Sequence, residues 1–255
     1  MQIAICSYRR SHSIFQNTIA SLIRAGADLK NVTVFISDPA EHDAYVQGVG
    51  GMVTVVDSVP TLAGNRTFAM KYYPKGEKIV FVDDDIKGFE KLSNGKLVEA
   101  NFNDFTKKGF DWCEKQGKSI WGIYAARNAF FMNDRVTEGL FLPVGSCYGL
   151  INTGEPNLFI TSDEKEDYRR GFQTFAVEGG LIRLEGITVN TAYYKEGGGM
   201  QEKRTKKIIE RAAKQLAEDY PDYCTVYYSK AKDTWELRLN HHTYKTKVLE
   251  APVVW

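Results

Sequence analysis

Three consecutive aspartates, Asp83-Asp84-Asp85, follow an apolar segment at residues 78–82 and are the sharpest chemical signal in the sequence. Like charges at this spacing repel and raise one another's pKa, a cost that a bound divalent cation removes. Mg²⁺ and Mn²⁺ prefer oxygen ligands and often combine one or two carboxylates with phosphate oxygens. The triplet therefore predicts a metal site. A solvated turn that caps a helix would carry the same residues, and phosphatases and nucleases also use such acids.

A fixed positive charge lies upstream of these acids. Arg66, with Asn65 before it, falls early in a predicted helix at residues 62–73, for which Thr61 is a candidate cap. A guanidinium group can contact a phosphate through two nitrogens, and a helix N-terminus favours an anion. Arg66 is therefore a candidate phosphate contact, and a surface arginine is the alternative interpretation.

Two strand ends offer groups that suit a nucleoside. Ser7-Tyr8-Arg9-Arg10 follows the first predicted strand, where Tyr8 could stack on a base and Arg9 or Arg10 could meet a phosphate. Asp38 ends the second predicted strand and could bind a ribose hydroxyl or a base N–H. A solvated loop and a turn before the following proline are the alternatives.

Glu166 and Asp167 lie in the first turns of a predicted helix at residues 161–178, which Thr161 and Glu164 are spaced to cap. Acids at this place complement the helix dipole. One of them could instead act as a general base that takes a proton from an acceptor hydroxyl. Adjacent helical residues point about 100° apart, so the other could orient a neighbour.

A glycine run, Gly197-Gly198-Gly199, would let the backbone approach a diphosphate closely, although a flexible hinge is equally compatible with it. The pair His241-His242 could donate a metal ligand, but such a pair is more often only a polar part of the surface.

The elements that must position these residues alternate along the first half of the chain. Apolar strands are predicted at residues 2–7, 32–37, 52–56 and 78–82, and helices at residues 14–25 and 62–73. Buried strands separated by helices predict an α/β fold with a mostly parallel central sheet that helices flank on both faces. Sites in such sheets gather at the carboxyl ends of the strands. The triplet, the first loop and Asp38 should therefore share one crevice.

The second half has a mixed pattern. We expect a helix at residues 102–116, short strands at 120–125, 130–131 and 148–152, and a strand-like stretch at 181–191 with Gly186 as a bulge or turn. A helix at 208–220 and a hairpin at 224–229 and 234–240 follow. We place a domain boundary near residue 200, which separates a catalytic domain at 1–200 from a helix-and-hairpin appendage at 201–255.

Composition narrows the class of protein. The chain has 255 residues and a net charge of +1, so its overall charge indicates neither nucleic acid nor acidic lipid as a partner. Its four cysteines form no Cys-x-x-Cys pair, which argues against a zinc ribbon or a redox motif. No apolar stretch approaches the ~20 residues that cross a bilayer. We expect a soluble, cytoplasmic protein with no membrane partner.

The order of these signals resembles the GT-A glycosyltransferases, over about residues 1–200. The matching positions are Ser7 to Arg9 and Asp38 for the nucleoside, Arg66 for the diphosphate, Asp83 with Asp85 for the metal, and Glu166-Asp167 for the base. The resemblance implies a Rossmann-like GT-A sheet, Mn²⁺ or Mg²⁺ as cofactor, and a UDP-sugar donor. Tyr8, Asn65, Asp84 and Gly197 to Gly199 would also contact that donor.

A narrower resemblance is to the phage TET-associated glycosyltransferases that modify 5-hydroxymethylpyrimidines in DNA. It rests on Gly64-Asn65-Arg66, on the run from Phe81 to Ile86, on Glu166-Asp167-Tyr168, and on Asn190-Thr191 leading to the glycine run. This resemblance implies DNA as a partner and 5-hydroxymethylcytosine as the acceptor, in the host cytoplasm. A saccharide or small-molecule acceptor, a sugar nucleotidyltransferase and a non-catalytic DNA-binding module remain alternatives.

Overall fold

The computed structural model describes residues 1–191, 205–231, 233–240 and 243–255. Its strands are β1 (Gln2–Ser7), β2 (Val32–Ile36), β3 (Thr54–Asp57), β4 (Lys78–Asp83), β5 (Ile86–Ser93), β6 (Lys96–Glu99), β7 (Ile120–Ile123), β8 (Val136–Gly139), β9 (Cys147–Ile151), β10 (Leu181–Leu184), β11 (Ile187–Thr191), β12 (Cys224–Ser229), β13 (Thr234–Leu239) and β14 (Lys247–Glu250). Its α-helices are α1 (Ala20–Arg24), α2 (His42–Val49), α3 (Leu62–Tyr72), α4 (Phe102–Gln116), α5 (Glu166–Glu178) and α6 (Lys206–Asp219).

A nine-stranded sheet in the order β14-β8-β10-β7-β9-β4-β1-β2-β3 forms the centre of the fold. Strands β3, β2, β1 and β4 pair in parallel, and so do β7 and β10. Strand β9 is antiparallel to both of its neighbours, β4 and β7, so these two parallel groups run in the same direction. The predicted mostly parallel α/β sheet is confirmed, and the carboxyl ends of β1, β2 and β4 meet at one edge.

Both faces of this sheet are buried, as the continuous apolar strands require. Ile3 and Ile5 of β1 pack on one face with Phe102 of α4, while Ala4 packs on the other face with Met70 of α3. Each fully buried aliphatic side chain of this kind stabilises the fold by roughly 1.5–3 kcal/mol. The two packed faces leave the strand ends as the place where polar groups can gather.

Several sequence predictions are confirmed closely. Helix α4 has the predicted bounds, and the hairpin of β12 and β13 ends one residue before its predicted limit. Helix α3 begins after Thr61, whose hydroxyl accepts from the Gly64 N–H at 3.1 Å, as its role as an N-cap requires. The stretch at 181–191 turns at Gly186 into two strands that lie in different sheets.

Other predictions are wrong. Phe130 and Phe131 form no strand but an exposed turn, with 85% and 56% of their surfaces accessible, and the strand nearby is β8 instead. Helix α5 begins at Glu166, so the capping box at Thr161 does not form. The helix predicted at residues 14–25 is present, but its first part, Phe15–Ile19, is π-helical and only Ala20–Arg24 (α1) is α-helical. Helix α2 and the strands β5 and β6 were not predicted.

The C-terminal part packs against the rest of the chain in two places. The face formed by α6 and the hairpin buries Leu216 and Leu237 against Phe172 of α5. Strand β14 pairs with β8 in the central sheet. The division near residue 200 falls outside the described residues, so it stays a prediction, although the last strand belongs to the same sheet as β1. No helix in the described ranges combines the length and the apolar character needed to span a bilayer.

Candidate active site

Side-chain hydrogen bonds connect the end of β1 with the acidic turn after β4, two of the three segments that were expected to share a crevice. Ser7, the last residue of β1, donates to Asp84 Oδ2 at 2.5 Å. Arg10 donates from Nη1 to Asp84 Oδ1 at 2.6 Å, and the same nitrogen lies 3.1 Å from Asp85 Oδ2. Tyr45 of α2 completes the group, since its hydroxyl lies 2.6 Å from Ser7 Oγ and accepts from the Arg10 N–H at 3.0 Å.

The backbone of the acidic triplet is fixed by a threonine from the first helical segment. Thr18 Oγ1 donates to the Asp83 carbonyl at 2.8 Å and accepts from the Ile86 N–H at 3.0 Å. Because one hydroxyl bridges both ends of the turn, the three carboxyl groups have little freedom to move apart. The Asp84 and Asp85 residues are only 6% and 8% exposed, whereas the Asp83 side chain is 36% exposed.

Burial and mutual repulsion shift the acids of this turn. Burial raises the pKa of Asp83 to about 7; Arg66 opposes the shift, and the negative charges of Asp85 and Asp84 add to it. Burial also raises the pKa of Asp84, against the opposing charge of Arg10 and the hydrogen bond from Ser7. An acid cluster held in this way is stabilised by any cation that binds to it.

The donor atoms fit a hard divalent cation, but they form an incomplete shell. No group of three or more His, Cys, Asp or Glu side chains within the described ranges is arranged to hold a metal. Asp83 and Asp85 can supply two carboxylate ligands, and Mg²⁺ or Mn²⁺ commonly fills its other positions with water and phosphate oxygens. The residues present therefore fit an ion that binds together with a phosphorylated ligand.

Arg66 lies at the centre of a buried cluster of alternating charges. It is 2% exposed, and its Nη2 donates to Asp83 Oδ1 and to the Gly145 carbonyl, both at 2.8 Å. Its Nη1 donates to Glu166, whose other carboxylate oxygen accepts from Arg170 one turn later on α5. Arg170 also lies 4.0 Å from the centre of the Tyr148 ring. The guanidinium group of Arg66 thus organises the acids around it.

Glu166 and Asp167 have pKa values shifted in opposite directions although the two residues are adjacent. Burial opposes the ionisation of Glu166, but Arg170 and Arg66 outweigh it and lower the pKa of its carboxyl group. Burial raises the pKa of Asp167, and the negative charge of Glu166 adds to this shift. Asp167 Oδ1 accepts from the Tyr168 N–H at 3.0 Å. Of the two, Asp167 has the carboxyl group that more readily holds a proton.

The other predicted donor contacts lie in different surroundings. Asn65 is 1% exposed and donates to the Phe35 carbonyl at 2.9 Å and to Ser37 Oγ at 2.8 Å, which ties α3 to the end of β2. Asp38 Oδ1 accepts from the Ala40 N–H at 3.1 Å and begins a short 3₁₀ turn. Its side chain therefore makes the contact that a turn former would make.

The loop after β1 is the more accessible wall of the crevice. Arg9 is exposed, and its guanidinium group lies 5.0 Å from the centre of the partly exposed Tyr8 ring. Arg9 has a positive φ of 55°, and its N–H donates to Glu41 Oε2 at 2.9 Å. The glycine run Gly197-Gly198-Gly199 and the pair His241-His242 lie outside the described residues.

The sequence did not indicate three residues of this site, Tyr45, Tyr148 and Arg170, and it indicated a different role for Arg10. A signal existed for Arg170, because it stands four residues after Glu166 and shares its helix face. Arg10 was noted only as a possible phosphate contact. Tyr45 and Tyr148 carry no local signal, since they lie in elements whose places depend on the tertiary fold.

Comparisons with known proteins identify a fold but no family. No family model matches the chain, and no curated protein matches it. A structure of glucosyl-3-phosphoglycerate synthase from Mycobacterium tuberculosis with Mn²⁺ and UDP-glucose superposes with a TM-score of 0.53 at 10% identity, covering 93% of this chain and 85% of that one. The same enzyme with Mn²⁺, UDP and glucosyl-3-phosphoglycerate gives a TM-score of 0.51 at 10% identity, covering 93% and 86%.

A second enzyme shares the fold. A structure of GalNAc-T7 with UDP, GalNAc and Mn²⁺ superposes with a TM-score of 0.50 at 9% identity, covering 87% of this chain and 50% of that chain. At such low identity these likenesses establish the architecture alone. The chain therefore has the mixed α/β GT-A fold, with its buried acids at the strand edge described above.

Proposed function

We propose that this protein is a metal-dependent glycosyltransferase that uses a UDP-sugar donor. The observation that carries the proposal is the acidic turn Asp83-Asp84-Asp85 at the carboxyl end of β4, in a sheet with the GT-A fold. Both M. tuberculosis synthase structures contain Mn²⁺ with UDP or UDP-glucose, and the GalNAc-T7 structure contains Mn²⁺ with UDP. The pair Asp83 and Asp85 suits a metal–diphosphate ligand of this kind.

In this proposal each side of the crevice has one task. Tyr8, Arg9 and Asp38 bind the nucleoside, and Arg10 and Ser7 hold Asp84 so that the turn keeps its shape. Asp83 and Asp85 would hold Mn²⁺ or Mg²⁺, which would supply Lewis-acid stabilisation of the departing diphosphate. The glycine run and Asn65 complete the donor side, Asn65 by fixing α3 against β2.

Arg66 takes a different role from the direct diphosphate contact that its sequence suggests. Its guanidinium group is buried between Asp83 and Glu166, so it orients the metal-binding acid. Glu166 is ion-paired with two arginines, which leaves Asp167 as the base. In an inverting transfer, Asp167 would accept the proton of the acceptor hydroxyl while the hydroxyl oxygen bonds to the anomeric carbon and the bond from that carbon to the diphosphate breaks. In a retaining transfer, Glu166 and Asp167 would only position substrate.

In this proposal the acceptor approaches from the side of α5, which carries Asp167. A cavity of about 310 Å³ lies next to this helix, between the loop before α5 and helix α6; its lining includes Arg169 of α5 but not Asp167. Its volume is in the range of small-molecule sites. Within the proposal, the acceptor is the hydroxyl of 5-hydroxymethylcytosine in DNA. The motifs around Arg66 and Glu166 that resemble the phage enzymes support this choice.

The test is a donor screen with Mn²⁺ that follows UDP release from several UDP-sugars, with and without DNA that contains hydroxymethylcytosine. We expect release that this DNA stimulates, with a matching gain in the mass of the base. UDP release that is the same with and without the DNA would support a glycosyltransferase but contradict the DNA acceptor, and would favour a saccharide or small-molecule acceptor. No release from any donor, together with pyrophosphate formation from a nucleoside triphosphate, would contradict the proposal and indicate a nucleotidyltransferase.

A further inference from the structure

Lys165, the residue directly before Glu166, has a backbone conformation that L-amino acids rarely adopt. Its φ and ψ are 53° and 37°, and it makes no side-chain cap to α5. A non-glycine residue in the left-handed region is strained and persists only where its surroundings enforce it. Some contact outside the helix must therefore hold Lys165 in place.

That contact comes from the C-terminal hairpin. Lys165 Nζ lies 2.7 Å from Glu236 Oε2 of β13, and the two side chains are only 10% and 14% exposed, so solvent screens the pair little. The next residue of β13, Leu237, accepts from the Tyr168 hydroxyl at 3.4 Å. Neighbouring positions of one strand thus reach the residues on both sides of Glu166 and Asp167.

The hairpin is well anchored for this task. Its other face places Val226 beside Leu237 in register and packs against Leu216 of α6. Asp219 at the end of α6 bonds Arg169 of α5 at 2.8 Å. Because β13 is packed against α6 and α6 is bonded to α5, β13 can hold the first turn of α5 in a fixed position.

We infer that the Lys165–Glu236 ion pair positions Asp167, so that the C-terminal hairpin sets the geometry of acceptor deprotonation. The inference rests on the proposed function, because it takes Asp167 to be the base. Lys165 and Glu236 are positioning residues that touch neither donor nor acceptor. A base displaced by about 1 Å loses much of its catalytic effect, while donor binding on the opposite wall is unaffected.

The test breaks the Lys165–Glu236 pair and compares the effect on catalysis with that of breaking a second ion pair, which joins the hairpin turn to α6. Glu236→Gln and Lys165→Met should each lower kcat for transfer about 10-fold, with the donor KM and the acceptor-independent hydrolysis of UDP-sugar changed less than about 2-fold. Asp233→Asn is the control, because it breaks the exposed Lys206–Asp233 pair, whose side chains are 68% and 66% exposed. Equal kcat values for Glu236→Gln and Asp233→Asn would overturn the inference.

Two further measurements guard against a merely structural effect. The charge-swapped double variant, Lys165→Glu with Glu236→Lys, should recover most of the lost kcat, and a swap that recovers nothing contradicts the inference. Hydrogen exchange needs no activity and so separates this inference from the proposed function. The Arg169 N–H, which bonds the Lys165 carbonyl at 3.1 Å, should exchange faster in Glu236→Gln than in Asp233→Asn. Identical exchange in the two variants would also overturn the inference.

Discussion

Two buried glutamates, Glu166 and Glu185, are each held by a pair of arginines, yet their surroundings differ. Glu166 is bound by Arg66 and Arg170 at the N-terminus of α5. Glu185, fully buried after β10, accepts from Arg135 Nε at 2.6 Å and from Arg183 Nη2 at 2.7 Å. Both carboxyl groups have a lowered pKa, despite burial, because the arginines favour the ionised form.

The difference lies in where each charge cluster ends. From Glu166, Arg66 leads to Asp83, a partly exposed acid beside two more acids. Around Glu185 both arginines pair with the same carboxylate, Thr137 donates to it at 2.9 Å, and Arg183 lies 3.9 Å from the centre of the Phe141 ring, while the Arg135 side chain is 38% exposed. The Glu166 group (the open cluster) therefore connects to further acids through Arg66, whereas the arginine contacts of the Glu185 group (the closed cluster) return to one carboxylate.

The largest expected effect follows from removing Asp85, a proposed metal ligand beside the open cluster. Asp85→Ala should lower transfer activity by at least about 1,000-fold, because the diphosphate loses its counter-charge, while the fold stays intact. Transfer assays and circular dichroism measure the two parts. Asp104→Ala, which removes an exposed carboxylate from α4, should change neither. Full activity of Asp85→Ala would refute the metal-site assignment.

A smaller effect on catalysis should distinguish the two glutamates directly. Glu166→Gln frees Arg66 to shift away from Asp83, so we expect kcat to fall by about 10- to 100-fold. Glu185→Gln breaks a cluster of the same composition but should leave the kcat of the folded protein within about 2-fold. Steady-state kinetics on both variants decides this, and equal losses of kcat would remove the distinction between the open and the closed cluster.

Stability should show the importance of the closed cluster. Glu185→Gln leaves two arginines without their shared carboxylate and should reduce the free energy of unfolding by about 3 kcal/mol in urea titrations. Glu90→Gln is the matched control, because it breaks a pair with Arg127 whose arginine is 49% exposed, and should cost less than about 1 kcal/mol. A loss no greater than that of the control would show that Glu185 contributes little to the fold.

The stability difference between wild type and Glu185→Gln should depend on pH. The pKa of Glu185 is lower in the folded chain than its ordinary value of 4.5, so its contribution is complete above that value and is lost as the pH falls through the lowered pKa. The stability difference between wild type and Glu185→Gln should be constant from about pH 7 to about pH 5 and shrink at lower pH. A difference that grows on acidification would contradict the lowered pKa.

The sequence predicted the open cluster far better than the closed one, for a physical reason. Asp83 to Asp85 directly follow an apolar strand. Their mutual repulsion is energetically costly without a positive partner, so the run indicates a site from the sequence alone. Glu185, Arg183 and Arg135 are isolated charges in short strands and turns. Only the pairing of β10 with β8 brings them together, through the register that places Arg183 opposite Thr137.

Secondary structure was likewise predictable only where the local sequence determines it. Amphipathic spacing was sufficient for α4 and for the hairpin, because local periodicity determines both. The start of α5 was not predictable, because Lys165 before it takes a left-handed backbone conformation and its side chain pairs with Glu236, distant in sequence. Phe130 and Phe131 were predicted to form a short strand because aromatic residues are usually buried in strands. Both instead lie exposed in a turn.

Calorimetric titration of UDP into the protein, with and without Mn²⁺, measures metal-dependent donor binding without an acceptor and without knowledge of the sugar. We expect Mn²⁺ to strengthen UDP binding at least about 10-fold in the wild type, and we expect Asp85→Ala to abolish this dependence. Binding of UDP that is equally tight with and without the metal, in both proteins, would contradict a metal-dependent transferase whose donor site lies at Asp83 to Asp85.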